Sequence, residues 1–347
     1  MSRRLVFGAV CAVALATFES PSAVSGLRFP TTAQAQLGVI AFQNLCTDRE
    51  PDEVHVMWGE AESATNPRVL LPPVPGVPQQ FPLDVSTSGP LTVLLNGLRA
   101  AAVEVVDGSL VPAVTLTDLR LPGINFAFLA RFSPAGDRLA MVSSGTLVIA
   151  DIVLGADGRP ASLTNPTVVA DLLTIGSPSD SSSGNATVSS LSFSPDGTQI
   201  VTTIYGDLWL LTLGPDGHTL SPSAPPEPLT RTVREAELFA AFSPDGTRLA
   251  YVRNRNGRVT ILTLNLATSE VIDVLAGRNR ADGSLYPAWS PDSQFLAFSA
   301  RGPREPRQSP CFVNYDLYVV SADGTGTPSP LTNTVGTGVE LRLKWGW

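Results

Sequence analysis

The chain has 347 residues, a formal net charge of −8, two histidines and three cysteines. The acidic balance speaks against nucleic acid as the main partner. So few cysteines and histidines exclude a disulfide framework, and neither zinc-ligand spacing nor a CxxC pair is present.

The N-terminus reads MSRRLVFGAVCAVALATF: two arginines, then an apolar stretch of about 14 residues, too short to span a bilayer. AQAQ at residues 33–36 offers a small-x-small cleavage site after Ala35. Residues 1–35 are therefore expected to be an export signal and 36–347 a single mature domain. The Phe of SRRLVF stands one place late for a twin-arginine signal, so the general secretory route is expected. Cys11 follows Val10 rather than a small residue, which speaks against a lipoprotein site. Removing Arg3, Arg4, Arg28 and Glu19 leaves −8 − 2 = −10.

From Gly38 the chain reads as strands and turns. GVIAFQ and DEVHVMW alternate or run apolar, and LDVSTSGPLTVLLNG from Leu83 has a turn at Gly89 between two apolar runs. One phrase then recurs: ARFSPAGDRLAMV at Ala130, LSFSPDGTQIVTT at Leu191, AAFSPDGTRLAYV at Ala240 and PAWSPDSQFLAFS at Pro287. Its aromatic falls at Phe132, Phe193, Phe242 and Trp289, with spacings 193−132=61, 242−193=49 and 289−242=47. A period near 47 with longer excursions marks one compact unit repeated with variable loops.

Within a unit Pro takes the first turn position and Gly of Asp-Gly accepts positive φ, so each phrase predicts a hairpin. Further strands follow, such as GDLWLLTL from Gly206, GRVTILTLNL from Gly257 and SEVIDVL from Ser269. Four antiparallel strands per unit cannot bury both faces alone, and radial packing of several such sheets solves this.

The phrase FSPDGTRLAYV resembles the repeat of the TolB-type, PD40 family of β-propellers, and LYVVSADGTGTPSPLT from Leu317 is similar to that family's strand, Asp-Gly turn and Leu-Thr ending. The resemblance covers Ala130 to Thr332 and implies an all-β propeller. Val85 stands 132−85=47 before Phe132, so the Leu83 segment reads as a worn copy. VELRLKWGW places Trp345 at 345−289=56 from Trp289 and resembles an inner strand without its hairpin partner. Pairing it with GVIAFQ predicts six blades, the last shared by both ends of the chain, with no open sheet edge left. An open β-sandwich with a frayed tail is the competing architecture.

In such a propeller the loops between second and third strands share one face. Cys46 and Cys311 fall there in the first and sixth blades, which adjoin only in a closed ring; a Cys46–Cys311 disulfide is expected. Between Arg231 and Arg307 stand 11 arginines against 8 acids. Arg253, Arg255, Arg278, Arg280, Arg301 and Arg304 are expected in loops on the cysteine face, either as a patch for an acidic partner or as a solvated rim paired to Glu235, Glu237, Asp282 and Glu305.

No GxSxG elbow or phosphate-binding glycine loop occurs, and His55 and His218 read as structural. Asp196, Asp245 and Asp292 recur at one turn position, which fits Asx-type turn bonds better than calcium ligation. Glu237 and Glu340 each lie five residues before the unit's aromatic and so share a place near the central channel. Six-bladed lactonase-type propellers hold calcium there, which makes Ca²⁺ at Glu237 and Glu340 the one metal candidate; a structural role for both glutamates and no cofactor is the leading expectation.

The family resemblance implies an exported propeller that binds a protein or an envelope partner; since blade strands are expected directly after the signal, the α/β domain that precedes the propeller in that family is not expected here. A non-enzymatic binding module acting through the face of its long loops, Asn44 to Pro51, Ser177 to Ser190, Arg253 to Arg258 and Gly302 to Pro310, as a soluble monomer, is the leading expectation. A metal-dependent hydrolase or lactonase is the alternative, and a passive component touching anionic envelope polymer is a third.

Overall fold

The computed structural model describes residues 39–44, 53–57, 68–71, 83–86, 92–96, 99–106, 109–111, 117–119, 121–122, 124, 127, 129–175, 188–232, 235–276, 285–301, 315–331 and 340–346. Cys46, Cys311, Arg278, Arg280, Arg304 and most of the proposed long loops fall outside these residues, as does the proposed signal.

The described chain is built of antiparallel strands, with one short helical turn, α1 (Leu172–Ile175). The SPxG phrases make the first hairpin of four successive four-stranded sheets. The first is β9 (Leu129–Phe132), β10 (Arg138–Ser143), β11 (Thr146–Leu154) and β12 (Pro160–Asp171). The second is β13 (Val188–Phe193), β14 (Gln199–Ile204), β15 (Asp207–Thr212) and β16 (Glu227–Pro228). The third is β17 (Glu235–Phe242), β18 (Arg248–Arg255), β19 (Arg258–Asn265) and β20 (Val271–Asp273). The fourth is β21 (Leu285–Trp289), β22 (Phe295–Arg301), β23 (Tyr315–Ser321) and β24 (Ser329–Pro330). In each, strands neighbour in chain order.

The Leu83 segment makes a fifth ladder of β4 (Leu83–Ser86), β5 (Thr92–Asn96), β6 (Arg99–Val106) and β7 (Ser109–Val111), with β8 (Thr117–Asp118) beside β6. Of the remaining strands, β1 (Val39–Asn44) pairs on one side with β2 (Glu53–Met57), which pairs with β3 (Arg68–Leu71). On its other side β1 pairs antiparallel with β25 (Glu340–Gly346), with Ile40 opposite Trp345.

The turn chemistry explains the repetition. Ser243 Oγ donates to Asp245 Oδ1 at 2.5 Å and accepts the Arg248 N–H at 3.0 Å, while Gly246 N donates to Ser243 O at φ +72°. The same serine-centred network recurs at Ser194 with Asp196 and Gln199, and at Ser290 with Asp292 and Phe295. In the last copy Ser293 replaces glycine at φ 60°, and its Oγ accepts the Asp245 N–H of the preceding sheet at 3.0 Å.

Strand alternation sends successive side chains to opposite faces, and here both faces are apolar. Leu249 and Tyr251 of β18 pack with Val201 and Leu208, while Ala250 and Val252 pack with Trp289, Leu296 and Phe298. Phe193 likewise joins Ala140 and Val142 of the preceding sheet. The sheets thus stack face to face, with each recurring aromatic in the seam toward the sheet before it. At about 1.5–3 kcal/mol per large buried side chain, these seams are the principal core.

A candidate charged site at the β17–β18 seam

β18 and β19 join through Asn256 and Gly257 at φ 52° and 79°, a two-residue turn of the kind that matches strand twist. The expected loop at residues 253–258 is therefore a tight hairpin tip: Arg253 and Arg255 are strand residues, and Arg255 stands opposite Arg258 across the turn. Arg301 is the last residue of β22.

Glu235 and Glu237 start β17, opposite Arg255 and Arg253 respectively. Glu235 bridges both guanidinium groups, with Oε1 at 3.1 Å from Arg255 Nε and Oε2 at 3.4 Å from Arg253 Nε. Two of the six expected patch arginines thus carry an internal carboxylate. The Arg255 side chain remains 71% exposed and Arg258 is exposed.

Glu237 is fully buried. Its backbone N–H donates to Gly206 O at 2.7 Å, which docks β17 against the β14–β15 tip, and Thr230 Oγ1 donates to its Oε2. Thr230 Oγ1 also accepts the Leu208 N–H at 2.8 Å. Oε1 of Glu237 lies 4.0 Å from Arg253 Nε, and neither atom has a hydrogen-bond partner. Burial pushes this carboxyl up to about 7, against the lowering effects of Thr230 and Arg253, with Asp207 and Glu235 adding repulsion. Tyr251 is also fully buried, accepts from Arg253 Nη2 at 3.3 Å, and is pushed up by burial and by Glu237.

Glu340 is the first residue of β25, opposite Asn44, and its side chain lies outside the described residues. Among the described residues no group of three or more His, Cys, Asp or Glu side chains comes together. The group facing Glu237 Oε1 is a cation, so this part of the donor set does not fit a divalent metal.

The turn aspartates behave as side-chain caps. Hydrogen bonds from Ser194 and then Thr198 hold the Asp196 carboxyl below its ordinary range; Asp245 is held down by Ser243 and Thr247 despite the opposing effect of burial. His218 bridges two sheets: its Nε2 lies 2.8 Å from Asp151 Oδ1 and its Nδ1 2.7 Å from Asp216 O. Sequence reasoning missed Thr230, Asp207 and Tyr251 as neighbours of Glu237, since they come from three separate strands or connections. It also missed Phe239 and Tyr286, which share a bulge three residues before the seam aromatic at φ 57° and 58°, with ring centroids 4.1 Å apart.

The whole arrangement is similar to solved structures of known architecture. TolB from Acinetobacter baumannii aligns at a TM-score of 0.56 and 15% identity, over 89% of this chain and 66% of that one. A TolB-assigned protein from Agrobacterium tumefaciens aligns at 0.51 and 15%, over 89% and 93% of the two chains. The fold is a β-propeller. The GH74 enzyme of Niastella koreensis aligns on the same propeller at 0.51 and 14% identity, over 85% of this chain and 45% of that one. At such identities the likeness carries the fold and no activity. No protein-family model and no curated protein matches the chain. Among the described residues, no helix of the propeller is long and apolar enough to cross a membrane.

Proposed function

We propose that the protein is an exported, non-enzymatic binding module of TolB-like, PD40 type: a six-bladed propeller that engages an acidic protein partner through the face carrying the β18–β19 tip. The supporting observation is that tip itself, a rigid two-residue turn flanked by exposed Arg255 and Arg258 on strands anchored in the seam. Rigid elements presenting exposed guanidinium groups suit carboxylate recognition, because the fork is already oriented. In this reading residues 1–35 are the export signal, the β25–β1 ladder closes the sixth blade, and Cys46–Cys311 ties that seam on the same face. Arg278, Arg280, Arg301 and Arg304 extend the patch, and the propeller acts as a monomer. Capture from an envelope fraction tests it: the wild-type chain retains a partner that R255E/R258E loses, and identical retention by both would reject the face.

A second reading is a hydrolase or lactonase with Ca²⁺ held by Glu237 and Glu340. The buried, unbonded Oε1 of Glu237 favours a ligand there, and Arg253 opposes a cation. Metal content of the purified protein decides: a stoichiometric ion lost in both E237Q and E340Q supports this reading, and no ion rejects it.

A further inference from the structure

We infer that His218 is held as the imidazolium and clasps the β11–β12 arm of the first sheet to the second sheet, so that the arm loosens when the ring gives up its proton. The arm is set apart by its length. Ile152 N donates to Asp137 O at 2.7 Å, as Leu213 N does to Thr198 O at 2.8 Å in the second sheet. The glycine that opens the outer turn follows Leu213 directly, at Gly214, but stands three residues after Ile152 (155−152=3), at Gly155. Two added residues, Val153 and Leu154, therefore carry the β11–β12 ladder past the end of β10, opposite Ser162 and Pro160, and are 40% and 56% exposed.

Asp151 stands at the base of this arm, and His218 reaches it from the turn after β15. Nε2 lies 2.8 Å from Asp151 Oδ1, and Nδ1 lies 2.7 Å from Asp216 O. A backbone carbonyl only accepts hydrogen bonds, and so does an ionised carboxylate, so both ring nitrogens must donate. Only the imidazolium has two N–H groups. A neutral ring sets a lone pair against one of the two oxygens and loses the charge that attracts Asp151, so whichever tautomer remains, the hold between the sheets weakens.

The charged and titratable groups around the clasp come from each element packed on it: Asp151 from β11, Arg138 from β10 with Asp137 beside it, and Asp216 from the turn of His218 itself. Asn165 of β12 donates to Asp151 Oδ2 at 2.8 Å, and this bond, with the charges of His218 and Arg138, holds the Asp151 carboxyl below its ordinary range despite the opposing effect of burial. Histidine is the side chain whose charge changes between about pH 5 and 8, so the ring and not the carboxylate operates the clasp. Arg138 Nη1 donates to Gly217 O at 2.5 Å whatever the pH. The seam therefore stays closed, and only the arm is released.

The test is amide hydrogen exchange of the full chain at about pH 5.5 and about pH 8, on either side of the histidine range. Each rate is divided by the intrinsic rate at that pH, and residues 152–163 are referred to β10, which removes any change in global stability. Wild type, H218Q and D151N are compared, each checked for a cooperative melt at both pH values; D151N removes the other end of the clasp and stands in if H218Q does not melt cooperatively. The expected result in wild type is an arm that exchanges on the order of tenfold faster, relative to β10, at the higher pH. Both variants should show the faster exchange at both pH values, and the ring ¹⁵N shifts of His218 at the lower pH should be those of a doubly protonated imidazole. Equal pH dependence in wild type and the variants would overturn the clasp. So would a wild-type arm that ignores pH, or a neutral ring at the lower pH.

Discussion

Ser243 shows how much one residue of the repeat does. Its hydroxyl accepts the Arg248 N–H and donates to Asp245, while its carbonyl accepts from Gly246, so one side chain fixes both ends of the hairpin. Ser243→Ala leaves the part-buried Arg248 N–H without this partner and should cost about 1 kcal/mol, read as a lower urea midpoint with unchanged slope. Ser293→Ala should cost a similar amount, about 1–2 kcal/mol, because the strained φ stays while the inter-sheet bond to Asp245 is lost. These turns were legible in the sequence because Ser, Pro, Asp and Gly each have a local reason to be there. Phe239 and Tyr286 were not: nothing local favours an aromatic at positive φ, and only the bulged ladder beside the neighbouring sheet imposes it.

At the scale of strands and sheets, the seams carry both stability and charge. Arg248 lies over the Trp289 ring at 4.8 Å and donates to Ser293 O at 2.5 Å, so it latches one sheet to the next. Arg248→Lys keeps the charge but loses the planar fork; about 1 kcal/mol of stability should go with it, seen as a fall in Tm. Arg138 takes the corresponding place over Phe193 at 5.9 Å.

The pH dependence follows from opposite shifts. Asp196, Asp245 and Asp323 are held low in the folded state, so their contribution is present above the ordinary carboxylate range and lost as pH falls through their lowered values. Glu237 is raised, so its protonated form favours the fold below pH 4.5, and that contribution is lost as pH rises through about 7. Stability should therefore decline between about pH 4.5 and 7 in wild type, by up to about 3 kcal/mol from this one group, and E237Q should flatten that slope in urea titrations. The pairing of Arg253 and Arg255 with Glu235 was not fixed by composition, since only the register of the ladder sets which charges face each other.

Over the whole molecule, stacked sheets buried on both faces gain from a ring because every seam has a partner. The four Ser-Pro sheets were readable from the repeat, and the worn copy at Leu83 from its spacing and its turn at Gly89. The charged seam was not, because Asp207, Thr230, Glu237 and Arg253 converge from two sheets and the connection between them. The proposed closure of a six-bladed ring by both ends of the chain predicts that peptide mapping without reductant finds Cys46 joined to Cys311, with the bond contributing about 2–4 kcal/mol.

The decisive measurement is equilibrium unfolding of the chain with and without residues 340–347, followed by fluorescence and far-UV circular dichroism together. Closure by β25 on β1 predicts that the shortened chain has a lower midpoint and that the two probes separate, as an opened ring loses cooperativity. Coincident transitions at the full-length midpoint would mean that these strands close nothing, and the ring would fall with them.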